Sequence, residues 1–206
     1  MATYNGFGST LGGNSSPNDN SSYVFGLTFK VTQPNMQLDG FRIYVAASAG
    51  QSTAPEDFAL WIPSSSTSGS YVAGSKVTSG TFVNGWNFIP CNTPIPLTSG
   101  TTYTAVKSVN KGGVGFLFAY NLVTSYFAAG NPGAAGIVNG PLTIFSSSSG
   151  SNPNPFNNAQ QIFIGGPDDV IANYPDNSFL DTWYGMDVQV SNIAAARTPD
   201  FMPFFP

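Results

Sequence analysis

Hydrophobic and polar positions along this chain alternate with a period of two over short runs, the signature of half-buried strands. The stretch YVFGLTFKV (23–31) sets Tyr23, Phe25, Leu27, Phe29 and Val31 against Val24, Gly26, Thr28 and Lys30. LDGFRIYVAA (38–47) repeats the pattern, with Phe41, Ile43 and Val45 on one side and Arg42 and Tyr44 on the other. Further strands are predicted at DFALWI (57–62), within YVAGSKVTSGTFV (71–83), at GWNFIPC (85–91), TTYTAVKSV (101–109) and GVGFLFAY (113–120), the last two forming a hairpin about NKGG. GPLTIF (140–145), QQIFIGG (160–166) and TWYGMDVQVS (182–191) complete the set. No run carries a useful 3.6-residue stripe; NIAAARTPD (192–200) has room for one helical turn before Pro199. Ten or so short strands punctuated by Gly, Pro and Asn predict an antiparallel β-sandwich of jelly-roll type.

Three regions follow from the same pattern. Residues 1–22 are rich in Gly, Ser and Asn and read as an arm; residues 23–192 form the sandwich; residues 193–206 form a tail. In that tail Phe201, Met202, Phe204 and Phe205 stand among three prolines, a composition foreign to helix or central strand. Four large apolar side chains left in water would make a sticky patch, so the tail is expected to dock on other subunits. Each buried side chain would contribute about 1.5–3 kcal/mol before ordering costs. Ser146–Asn158 is a long Ser/Asn loop, either functional or simply exposed.

Composition narrows the function. Charged residues are 8% of 206, with six Lys and Arg and a net charge of −4, so no basic patch exists for nucleic acid or anionic lipid. No apolar run approaches the roughly 20 residues of a membrane span. The N-terminus lacks a basic region followed by an apolar core, which predicts that the chain is not exported through a signal and leaves, if at all, within an assembly. Histidine is absent, removing the commonest general base and metal ligand, and the single Cys91 permits no internal disulfide. A Ser or Cys triad is therefore excluded, and Cys91 reads as a small buried hydrophobe.

The acidic residues gather late, at Asp168, Asp169, Asp176, Asp181 and Asp187. Paired carboxylates can cleave glycosidic bonds, but Asp beside Gly, Pro and Asn also caps its own turn. A Ca²⁺ site built from Asp168, Asp169, Asn173 or Asp176 is the cofactor such a loop would allow, although no Asp-x-Asp-x-Asp-Gly spacing is present. The aromatic residues are the better lead. Trp183 and Tyr184 are candidates for stacking on sugar, whereas Trp86 reads as core; Trp86 and Phe88 share one face of their strand, Asn87 and Ile89 the other.

NGWNFIPCNTPIPLTSGTTYTA (84–105) resembles the core motif of an all-β family of unknown function, number four thousand and eighty-two, in which Gly-Trp leads a short strand, Pro-x-Pro and then Gly-Thr-x-Tyr. FGLTFKVTQPNMQLDGFRIYVAA, DFALWI, SYFAAG, GPLTIF and FLDTWYGMDVQV resemble it in the same order, from about Thr10 to Asn192. The resemblance implies a jelly-roll-like accessory or adhesive module, found on secreted actinobacterial enzymes and surface proteins and in phage virion proteins. It carries no catalytic motif. The expected function is thus a non-enzymatic virion structural protein, a minor tail or capsid-surface component, held by its termini to other virion proteins or to itself and touching host glycan. The alternative is a bacterial carbohydrate-binding module at the cell surface.

Overall fold

In the computed structural model, residues 1–7, 14–15, 23–45, 56–109, 121–122, 126–127, 129–146, 160–164, 169–176 and 185–194 are described. Fourteen strands lie among them. They are β1 (Thr3–Asn5), β2 (Asn14–Ser15), β3 (Tyr23–Val31), β4 (Met36–Val45), β5 (Asp57–Pro63), β6 (Gly69–Tyr71), β7 (Val77–Thr78), β8 (Gly85–Leu97), β9 (Thr102–Val109), β10 (Asn121–Leu122), β11 (Ile137–Asn139), β12 (Leu142–Ile144), β13 (Gln160–Ile164) and β14 (Met186–Asn192). A four-stranded sheet runs β1-β14-β4-β8, and a larger one runs β11-β12-β3-β9-β5-β6, with β13 also on β3 and β7 also on β5. β2 and β10 pair separately. These pairings are antiparallel, and the chain crosses from the large sheet to the small one and back between β3, β4 and β5 and again between β7, β8 and β9. The fold is an antiparallel, jelly-roll-like β-sandwich.

Alternation explains the core. Phe25, Leu27 and Phe29 of β3, Phe58 and Leu60 of β5, Phe41 and Ile43 of β4, and Met186, Val188 and Val190 of β14 fill one continuous cluster between the sheets. Phe41 meets Phe58 across the interface with ring centroids 5.5 Å apart. The second face of β3 and β9, predicted to be the solvent side, is also buried. Val24, Ala59, Trp61 and Val106 pack under Val170 and Tyr174 of the segment 169–176, where Trp61 Nε1 donates to the Val170 carbonyl at 2.8 Å. This second small core lies far along the chain from the strands it covers, which is why alternation alone could not show it.

The Pro-rich motif is framework. Among the described residues β8 pairs only with β4, an edge position that accommodates Pro90, Pro94 and Pro96. The Ser-Gly turn follows, with Gly100 at φ 81° and its N–H donating to the Val31 carbonyl. Tyr103 then reaches back: its hydroxyl accepts from the Thr98 N–H at 2.9 Å while its ring stacks on Phe29.

Two expectations change. The first residues of the supposed arm are strand β1, zipped to β14 through Thr3↔Ser191, Tyr4↔Val190 and Asn5↔Gln189; three residues are too few to show a period in the sequence. Trp86 sits at the margin of the core rather than inside it, half-buried and packed against the central cluster. Its register partner is Tyr44, on the face of β4 opposite Phe41 and Ile43, and the core instead takes Ile89 and Cys91 from β8. The hairpin about NKGG, the strand at 113–120 and the loop beyond Ser146 lie outside the described residues.

One buried ion pair was invisible in the sequence. Lys107 lies opposite Phe25 and Phe58 on the core side of β9, and its Nζ stands 2.7 Å from Glu56 Oε2 with both side chains almost fully buried. Burial pushes the Lys107 ammonium down and the Glu56 carboxyl up, each held back by the other's charge. Removing one partner from a buried pair strands the other, whereas replacing both with apolar groups does not. Lys107→Ala is therefore expected to cost about 3–5 kcal/mol in urea unfolding. The double change Lys107→Met with Glu56→Leu should recover most of that loss.

Candidate functional site

The side of the four-stranded sheet turned away from Phe41 and Ile43 carries a mixed aromatic and charged group, part of it buried. β4 presents Gln37, Asp39, Arg42 and Tyr44; β8 presents Trp86 and Phe88; β14 presents Asp187, Gln189 and Ser191. Register brings them together, since Arg42 lies between Phe88 on one side and Asp187 on the other, and Tyr44 lies beside Trp86.

At its centre Arg42 Nη1 contacts Asp187 Oδ2 at 2.6 Å and donates to the Phe7 carbonyl at 3.2 Å, while its guanidinium lies 4.2 Å from the Trp86 ring centroid. Asp187 is fully buried, and accepts from the Gly6 N–H at 2.9 Å, the Phe7 N–H at 3.1 Å and its neighbour Val188 N–H at 2.8 Å. Loss of water outweighs these partners and lifts the Asp187 carboxyl to about 6; Arg42 and the three amides pull it the other way. The Trp86 ring in turn meets Tyr44 edge-on, with centroids 5.4 Å apart.

Phe88 lies next to this group and is 46% exposed. Its ring rests over Gly40: a Cβ built on that glycine would come within 2.7 Å of the Phe88 ring and 2.4 Å of the Ile89 carbonyl oxygen. Glycine at this position is thus required by close approach rather than by turn geometry. Beyond Gly40 a β-bulge puts Asp39 outside both ladders, so that Gln189 and Pro90 pair with Gly40 while Val190 and Ile95 pair with Leu38. Gln37 Nε2 and the Ser191 hydroxyl both donate to Asp39 Oδ1, at 3.0 and 2.8 Å.

The residues singled out by sequence fare differently. Asp169 caps its own turn, its Oδ1 accepting from the Ile171 N–H and its carbonyl from the Ala172 and Asn173 N–H groups, and Asp176 lies on the same covering segment. Among the described residues no three His, Cys, Asp or Glu side chains converge on a point that could hold a metal. Asp187, counted with the late acidic group, belongs instead to the Arg42 pair. Cys91 is buried in the core, and burial pushes its thiol up to about 12. Asp168, Asp181, Trp183, Tyr184, Phe201, Met202, Phe204 and Phe205 lie outside the described residues. Sequence reading passed over Phe88 and Asp39 as a site; the only local signal was Gly40, a glycine in mid-strand.

Two outcomes follow for this cluster. Because folding raises the Asp187 pKa, the folded state holds that proton more tightly, and the resulting stability is complete below the ordinary value of 3.8 and lost as pH rises through about 6. Thermal melts from pH 4 to 7 should fall accordingly, with part of the slope absent in Asp187→Asn; Asp187→Ala should cost about 3–5 kcal/mol at pH 7 by stranding Arg42. Gly40→Ala should cost about 1–3 kcal/mol in the same measurement, since backbone as well as the Phe88 ring must give way.

Comparison with known proteins adds the family. No curated protein sequence matches the chain. Among solved structures it is similar to the cysteine protease and lectin-like domains of Cwp84, a surface layer associated protein of Clostridium difficile, at 9% identity and a TM-score of 0.42, covering 83% of this chain and 32% of that one. It is also similar to a clostridial Cwp84 cysteine protease variant after propeptide cleavage, at 8% identity and a TM-score of 0.46, covering 92% and 40%. The chain thus spans about two fifths or less of the length of those proteins. The family match covers residues 9–163, stopping short of β14, and over that span the chain belongs to DUF4082, a family of domains of unknown function.

Proposed function

We propose that this chain is a non-enzymatic adhesive module that holds glycan on the outward face of its four-stranded sheet, at a cell or particle surface. The observation that carries the reading is Phe88, half-exposed beside the Tyr44–Trp86 pair, with its ring packed close over the Gly40 backbone. Aromatic faces of this kind suit the C–H side of a sugar ring, and a site on strands is held more firmly than one on loops. Anchoring by Asp187 orders Arg42 and Trp86 before any ligand arrives, which lowers the entropy lost on binding. The setting as a virion component rests on the family resemblance and on terminal segments outside the described residues, so the adhesive reading, which has a described surface, is preferred.

The test is depletion of the full chain from solution by a panel of insoluble polysaccharides. Phe88→Ala should weaken retention by about 2 kcal/mol, the scale of a central aromatic anchor, with an unchanged melting midpoint. Undiminished retention in that variant would remove this face from the function.

A further inference from the structure

We infer that the sugar taken by this face is a neutral pyranose, seated with its C–H side on Phe88 and a hydroxyl donating to Asp39 Oδ2. The inference rests on the adhesive reading above and names the ligand class of the same face.

Its geometry comes from the bulge in β4. Asp39, the extra residue of the bulge beside Gly40, bonds to the outward-facing Gln37 and Ser191, which puts its carboxylate on the same side of the sheet as the Phe88 ring over Gly40. Both described hydrogen bonds to Asp39, from Gln37 and Ser191, arrive at Oδ1. They fix the carboxylate and leave Oδ2 as an oriented acceptor. A sugar presents this pairing of an apolar C–H face with donating hydroxyls at its rim.

Charge decides the class. The chain has six cationic side chains. Arg42 is committed to buried Asp187, Lys76 to Asp57 at 2.8 Å, Lys107 to Glu56, and Lys30 lies over the Phe145 ring. Lys111 and Arg197 lie outside the described residues. On this face the described residues supply no uncommitted cation, and they do supply the Asp39 carboxylate. An acidic sugar would meet repulsion there with no described cation to offset it, whereas a neutral one meets an acceptor and a ring.

The experiment compares depletion of the full chain by neutral polysaccharides (cellulose, chitin, β-1,3-glucan) and by acidic ones (alginate, polygalacturonate). Retention on at least one neutral glycan is expected, insensitive to added salt because no ion pair is involved. Asp39→Asn keeps an oxygen for Gln37 and Ser191 but places an amide donor where Oδ2 accepted, and should weaken that retention about tenfold, as loss of a charge-assisted hydrogen bond would. Retention on acidic glycans equal to or tighter than on neutral ones would overturn the inference and leave the adhesive reading standing. Full retention in Asp39→Asn, or retention that salt abolishes, would also overturn it. Failure to bind any glycan would take both down.

Discussion

The ion pair between Arg42 and Asp187 is the constraint on which the small sheet depends. It joins adjacent strands, closes the N-terminal turn at Gly6 and Phe7 onto β14, and supplies the guanidinium on which Trp86 lies. A buried pair is a doubtful source of net stability, because desolvating two ions offsets most of their attraction. Its value here is geometric. Asp187 satisfies two amide donors of the turn at Gly6 and Phe7, next to the three-residue strand β1, and Arg42 spends its remaining valence on the Phe7 carbonyl and an aromatic ring. Buried polar groups satisfied in this way specify one arrangement of the chain rather than several.

The large sheet solves a different problem. With charged residues at 8%, its outer face has few charged groups to solvate it, and instead of exposing Val24, Ala59 and Trp61 the chain lays the 169–176 segment across them. The two sheets therefore differ in availability. The large one is covered on both sides over its middle strands. Among the described residues, the small one keeps a face on which Phe88 lies open beside the fixed Asp39 carboxylate.

Both ion pairs buried among the described residues join groups far apart along the chain, Arg42 with Asp187 and Glu56 with Lys107. With a single cysteine, no disulfide can tie those distant segments together. The two buried charge pairs take over part of that linking.

The sequence by itself determined the class of fold and most of its strands. Period-2 alternation is a local property, and Tyr23–Val31 could be placed to the residue because Phe25, Leu27, Phe29 and Val31 alternate onto one core. The Pro-x-Pro segment and the Ser-Gly turn were legible as framework for the same reason, as was the burial of Cys91. Tertiary structure alone decided which face of each strand is wet. Trp86 and Phe88 could be assigned to one side together, but only pairing with Tyr44 and Arg42 showed that this side points outward. Asp187 and Lys107 look like ordinary surface charges until strands distant in sequence bury them. The site at Phe88 and Asp39 was hidden because it is made by a register shift, and register is fixed by partners that no local pattern names.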